Sequence, residues 1–222
     1  MTKTTTVPVG GVMVELIDDG DAIARMTNNG KDWEPATRAI WGALVRPGDM
    51  VIDVGAYTGI YSIASALIGA KVIALEPHPA NFRRLRDNAA INSVRMEMIE
   101  AAASANQGSN CLYMKRATSA ICDTASLDQE QAVAVSVRTV RLDDLKLCAQ
   151  VCLLKIDVEH HELDVLAGAI RLITTHRPAI VVEVLSVDEA MAVDSCLYDL
   201  GYRSDITLDR RNRFYRYGSD AV

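Results

Sequence analysis

Residues Met50–Val54 are apolar on both faces of a would-be strand except at Asp53, and they run directly into Gly55-Ala56-Tyr57-Thr58-Gly59 and a helical pattern. A strand with two apolar faces belongs in a parallel sheet covered by helices on both sides. The rhythm repeats, with strands at Lys71–Leu75, Cys152–Ile156 and Ala179–Val184. Helices alternate with them: one opened by Pro79 and running to about Asn92, one over Glu162–Thr175, and one over Val187–Leu200 closed by Gly201. The expected fold is α/β, a mostly parallel central sheet with helices on both faces. Tyr202–Ile206 and Arg213–Tyr217 would add an antiparallel hairpin at the C-terminal end.

The remaining segments are less regular. A polar start leads to a short strand at Val12–Ile17 and turn-rich clusters. Between Trp33 and Val45, Ala36, Ile40, Trp41 and Leu44 recur at helical spacing before Pro47-Gly48 ends the run. Further strands are expected at Arg95–Ile99, Asn110–Met114 and Val133–Val140, then a short helix from Asp143. A chain of 222 residues supports one core. Residues 1–45 are therefore expected as a strand and helix extension packed on a core domain of residues 46–222.

Charge narrows the partners. The net charge of -6, with both signs mixed along the chain, lacks the basic field that nucleic acid binding needs. Arg210, Arg211 and Arg213, beside Asp209 and Asn212, read as a solvated hairpin tip. The five cysteines, Cys111, Cys122, Cys148, Cys152 and Cys196, are scattered without a C-x-x-C pair, which suits reduced thiols in the cytoplasm. No apolar run approaches roughly 18 residues, so no membrane span is expected. An exposed apolar edge on the N-terminal strand or the terminal hairpin would support a homodimer, though nothing in the sequence demands one.

Ligands of such sheets bind beyond the carboxyl ends of the strands. Gly55 allows a tight turn and close backbone approach, and Gly59 lets the next helix pack near the strand. The spacing is G-x-x-x-G with Asp53 two residues ahead, not the dinucleotide pattern G-x-G-x-x-G. A pyrophosphate wants bare N–H donors, whereas a ligand carrying an ammonium and a sulfonium tolerates a carboxylate. Asp53 therefore suits a cationic ligand, and it serves equally well as an acceptor for loop N–H groups. Glu76 follows the second strand, 17 positions beyond Gly59, near the spacing at which an acid accepts ribose hydroxyls.

These segments resemble the FkbM-type methyltransferases, a branch of the S-adenosylmethionine-dependent enzymes with the Rossmann-like fold. Val51–Ser62 is similar to the family's cofactor loop and Glu76–Asn88 to its ribose segment and following helix. Glu100–Gly108, Val137–Leu145 and Leu154–Ala169 complete a likeness spanning roughly Glu34 to Tyr217. The resemblance implies S-adenosylmethionine as cofactor, held by Asp53, Gly55, Ala56, Tyr57, Gly59, Tyr61, Glu76 and Pro77, with Ala101 and Ala102 near the adenine. Tyr57 stands where the family commonly has asparagine, and His160 where it has glycine in D-x-E-G-H-E. Tyr57 would stack on the cofactor, cover it or shield the helix.

Asp157, Glu159, His160, His161 and Glu162 follow a strand and open a helix on the ligand side. Methyl transfer to a hydroxyl requires an acceptor held in line and relieved of its proton. His161 or Asp157 is the expected base, with Glu159 orienting the histidine or binding an acceptor hydroxyl. Glu183 should face the same cleft. Glu162 and Asp164 are expected only to complement the helix N-terminus, and no metal is expected. The function implied is O-methylation of a hydroxyl on a sugar or natural-product small molecule. Its acceptor surface would fall in the N-terminal segment, in Lys115–Gln131 and after Glu183. A cofactor-binding scaffold altered at Tyr57 and His160, and an NAD-dependent oxidoreductase, are the competing readings.

Overall fold

The computed structural model describes residues 3–115, 125–126 and 132–218. The chain opens with the antiparallel hairpin β1 (Thr4–Val9) and β2 (Val12–Ile17), then α1 (Ala22–Asn28) and α2 (Pro35–Leu44). β3 (Met50–Val54), α3 (Ile60–Ile68), β4 (Lys71–Leu75), α4 (Pro79–Ile91) and β5 (Glu97–Ile99) follow. Next come β6 (Ala102–Ala103), β7 (Gly108–Lys115), β8 (Ala125–Ser126), β9 (Ala132–Val140) and a 3-10 turn at Leu142–Asp144. The last third holds β10 (Val151–Ile156), α5 (Glu162–Ala167), α6 (Ile170–His176), β11 (Ala179–Glu183), α7 (Val187–Asp199), β12 (Tyr202–Leu208) and β13 (Asn212–Tyr217).

Seven strands form the central sheet in the order β12-β13-β11-β10-β3-β4-β5. The five from β11 to β5 are parallel, and β13 joins antiparallel to β11 and β12. This is the expected Rossmann-like α/β fold with its antiparallel C-terminal hairpin. From β3 the chain winds outward to β4 and β5, then returns to β10 on the other side. The crevice between the carboxyl ends of β3 and β10 is thus the topological switch point, where such sheets bind ligands.

Alternation along the strands builds two cores. Ile52, Leu154, Ile180 and Val182 pack with the helices α5 to α7, while Val51, Leu153 and Val181 pack with α3, α2 and the β1–β2 hairpin. The open edge of β2 is satisfied by a side chain of α4 and by that of its C-terminal cap, Asn92. Asn88 Oδ1 accepts from the Ile17 amide at 2.9 Å and Asn92 Oδ1 from the Glu15 amide at 3.0 Å. Asn88 also donates from Nδ2 to the Thr58 carbonyl at 2.8 Å, which ties the hairpin to the Gly55–Gly59 loop.

Three local departures from the sequence expectations have physical causes. β1 and α1 occupy stretches that read as polar start and turns. β1 buries only every second residue, and the seven-residue α1 starts on the cap of Asp21, whose Oδ1 accepts from the Ala24 amide at 2.7 Å. The helix expected over Glu162–Thr175 is broken into α5 and α6, because Gly168 lies against the Ser104 carbonyl and Asp143 takes the amide of Leu172 at 2.8 Å. The strands after Ile99 leave the central sheet for a second one ordered β6-β9-β7-β8. Lys115–Gln131 falls outside the described residues apart from Lys115, Ala125 and Ser126. Among the described residues no helix is long and apolar enough to cross a membrane, and Cys111, Cys148, Cys152 and Cys196 are free thiols.

Candidate active site

At the switch point the chain encloses a cavity of about 350 Å³, a size typical of small-molecule sites. The ends of β3, β4, β10 and β11 form its floor. The chain before α2, the start of α1 and the tip between β12 and β13 close its sides. One end is small and apolar, walled by Ala101, Ala102, Ala103 and Leu112. The other is charged, walled by Glu34, Asp157, Glu159, Glu183 and Arg211.

The loop after β3 turns sharply at the middle of this floor. Gly55 (φ 77) and Gly59 (φ 92) both occupy the left-handed region, and a Cβ at Gly55 would overlap the Asp157 carbonyl. Tyr57 holds φ 52 without being glycine, and its amide donates to Glu76 Oε2 at 2.9 Å. Glu76 Oε1 accepts from the His78 amide at 2.8 Å. His78 in turn caps α4 through Nδ1, accepting from Ala80 and Asn81 at 3.2 Å each. One buried carboxylate therefore locks the loops after β3 and β4 together, with acceptor capacity left on both oxygens.

Lys155 organises the charged end. Its ammonium is buried, 2.7 Å from Asp157 Oδ2 and 5.3 Å from the centroid of the Tyr61 ring. Burial alone would lower its pKa, but the carboxylates of Asp157, Asp53 and Glu34 outweigh burial and raise it. Burial likewise pushes Asp157 up, and the charge of Lys155 together with the hydrogen bond from Glu183 more than reverses this, so Asp157 stays ionised. Glu183 is hydrogen-bonded to Asp157 and is pushed up to about 9 by burial and by that neighbouring charge. At neutral pH it is a carboxylic acid donating to Asp157.

Glu159 (φ 53) and His160 (φ 77) are consecutive left-handed residues at the turn into α5. Burial raises the Glu159 carboxyl, and Asp157 adds to the effect. His160 is half exposed, outside the cavity wall, with Nδ1 3.4 Å from Glu189. His161 faces the cavity as a neutral ring, its pKa lowered by burial. Its Nδ1 lies 3.2 Å from Asp164 and its Nε2 3.2 Å from the Ser104 hydroxyl. Asp164 only accepts, which assigns the proton to Nδ1 and makes Nε2 an acceptor. Glu162, expected only to complement the helix N-terminus, is buried and shares a proton with Glu189. Burial pushes it up to about 8.

These raised carboxyls set a pH dependence. Glu76, Glu162 and Glu183 sit at about 7, 8 and 9 against an ordinary 4.5, burial being the first cause in each. The folded state holds protons that the unfolded chain has released, so this stabilisation is full below 4.5 and is lost as the pH climbs through 7 to 9. Asp157 acts oppositely, but only as the pH falls below its ordinary 3.8. The urea midpoint should therefore be lower at about pH 9 than at about pH 6, and Glu183→Gln should flatten the upper part of that fall.

Residues 53–204 match the model of the methyltransferase FkbM domain, more than half of the chain. The chain belongs to the FkbM methyltransferase family. Its cofactor is accordingly S-adenosylmethionine. An FkbM methyltransferase from Methylobacillus flagellatus superposes with a TM-score of 0.55 at 17% identity, over 80% of this chain and 49% of that one. A ribosomal protein L11 methylase from Lactobacillus delbrueckii superposes with a TM-score of 0.52 at 16% identity, over 87% and 79%. In sequence, a ribosomal protein L11 methyltransferase from Carboxydothermus hydrogenoformans is 49% identical over 49 residues, 22% of this chain and 16% of that protein. The chain thus spans about half of the FkbM structure it matches and a sixth of that curated relative. Membership in a methyltransferase family leaves the oxidoreductase reading without support.

Of the residues singled out in the FkbM-like motifs, Gly55, Tyr57, Glu76, Pro77, Ala101, Ala102, Asp157, Glu159 and His161 line the cavity together. Asp53, Ala56, Gly59 and Tyr61 lie behind it. Asp53 accepts from the Ser62 hydroxyl at 2.5 Å, and Tyr61 packs on Trp41 with ring centroids 4.4 Å apart. Sequence reading passed over Ala22, Arg25, Trp33, Glu34 and Arg211 as cavity residues. The basic hairpin tip is not merely solvated. β13 pairs with β11, so the tip meets the floor: Arg211 comes 3.8 Å from Glu183, Arg213 pairs with Asp194, and Asp209 caps α2.

Proposed function

We propose that the chain is an O-methyltransferase whose acceptor is a hydroxyl of a sugar or natural-product small molecule, working in the cytoplasm. The cavity fits the cofactor. Glu76, buried yet with acceptor capacity left, would take the ribose hydroxyls, with Pro77 beside it. Ala101 and Ala102 would flank the adenine, and Gly55 with Tyr57 would carry the methionyl part, Ala56 and Gly59 shaping that loop from behind the cavity. Asp53 and Tyr61 would support that loop from behind. S-adenosylmethionine supplies a methyl group activated by a positively charged sulfur.

The observation that carries the reading is Asp157, a carboxylate kept ionised by Lys155 in the cavity wall. It would accept a hydrogen bond from the acceptor hydroxyl, hold that oxygen in line, and take its proton as the oxygen is alkylated. An alkylated hydroxyl is strongly acidic, so a carboxylate of lowered pKa suffices. Glu183 would steady Asp157, Glu159 would bind a second hydroxyl, and the neutral His161 would be the next proton acceptor. A wall bearing the Asp157 carboxylate beside Glu34 and Glu159 suits hydroxylated acceptors and opposes phosphates, which favours a small molecule over nucleic acid. His160 lies outside the cavity wall beside Glu189, so the scaffold reading gains nothing from it.

Asp157→Asn should lower kcat by about 10²- to 10⁴-fold, the usual range for a removed acid–base group, while the affinity for S-adenosylhomocysteine changes little. The acceptor for this assay comes from screening S-adenosylhomocysteine release over a panel of hydroxylated sugars and polyketides. A variant with undiminished kcat would remove Asp157 from the mechanism.

A further inference from the structure

Glu34 precedes the part of the chain that matches the family model, and it reaches the cavity by an unusual route. It stands where a helix N-cap would, directly before Pro35, yet its side chain makes no cap. The cap comes from elsewhere: Asp209, at the tip of the β12–β13 hairpin, accepts from the amides of Ala36 at 2.9 Å and Thr37 at 2.7 Å. Relieved of capping, Glu34 adopts a left-handed backbone (φ 42), a conformation disfavoured for a residue with a Cβ. It turns its carboxylate into the cavity, where Tyr61 donates to Oε2 at 2.6 Å. Strained backbone of this kind concentrates at ligand sites.

The location fixes what that carboxylate meets. Along the cavity, the apolar alanines suit a base, Glu76 suits a ribose, and the Gly55–Tyr57 loop continues toward Lys155 and Asp157. Glu34 lies at that last end, where burial raises its carboxyl and the charges of Lys155 and Asp157 both reach it. Lys155 is paired at 2.7 Å with Asp157 and reaches Glu34 only as a nearby charge, while Tyr61 and Asn212 hydrogen-bond the Glu34 carboxyl. We propose that Glu34, presented by the Asp209 cap, binds the ammonium group of the methionyl part of S-adenosylmethionine. This rests on the cofactor assignment of the cavity.

The test is calorimetric and needs no turnover. S-adenosylhomocysteine carries the amino-acid tail; methylthioadenosine lacks it and keeps the nucleoside. Glu34→Gln should weaken S-adenosylhomocysteine by about tenfold or more, the loss of one hydrogen bond to a charged group, and leave methylthioadenosine unchanged. Glu34→Gly relieves the left-handed strain while also deleting the carboxylate, and should show the same selective loss at undiminished thermal stability. Unchanged affinity for S-adenosylhomocysteine, or equal loss for both ligands, overturns the proposal. Failure of the unsubstituted protein to bind S-adenosylhomocysteine overturns the cofactor assignment instead.

Discussion

Gly55→Ala should abolish cofactor binding and cost about 3 kcal/mol or more of stability, two effects with one origin. At φ 77 an alanine is strained by about 1–2 kcal/mol in any protein. Here the added Cβ also overlaps the carbonyl carbon and oxygen of Asp157 and touches Val158. Neither strand can yield cheaply, because β3 and β10 are adjacent central strands and the Asp157 amide is bonded to Val54 at 3.0 Å. Relief has to come from moving the loop or Asp157, and both line the cavity. Gly48→Ala is the control. Its φ is 90 but nothing lies within 4 Å of the added carbon, so it should cost only the strain and leave calorimetric binding intact. Gly55→Ala with normal affinity would mean that the cofactor does not approach this turn.

Lys155→Met should be the most destabilising change outside the glycine loop, at about 3–5 kcal/mol, because it leaves buried carboxylates without their counter-charge. Asp157 loses its 2.7 Å partner, and Asp53 and Glu34 lose the same nearby cation. The remaining carboxyls respond by holding protons to higher pH. The deficit measured by urea unfolding should therefore shrink at about pH 5 relative to about pH 8, and residual activity should need a more alkaline medium than that of the unsubstituted enzyme. A loss independent of pH would show that Lys155 matters for packing alone.

Much of this was legible in the sequence, for identifiable reasons. β3, β4, β10 and β11 each bury both faces, and such strands announce themselves as apolar runs. Gly55 and Glu76 were legible as cavity residues because a tight turn after β3 demands glycine and an acid directly after β4 stands at the ligand end of the sheet. Lys155 was a signal passed over, since a lysine inside an apolar parallel strand needs a buried partner. Glu34 and Arg211 were less accessible. They enter the cavity through contacts of 173 and 28 residues' separation, Asp209 with Ala36 and Arg211 with Glu183, which no local periodicity encodes. The break at Gly168 depends likewise on the remote carbonyl of Ser104.

The central claim, methyl transfer from this cavity to a hydroxyl oxygen, is tested most directly by following the methyl group itself. The enzyme would be incubated with S-adenosylmethionine labelled with carbon-13 in the methyl and a panel of hydroxylated sugars and polyketides, and the product read by NMR. The expected result is a labelled methoxy signal that Asp157→Asn diminishes. Label appearing on nitrogen or carbon, or no transfer to any hydroxylated acceptor by protein that binds S-adenosylhomocysteine, would contradict it.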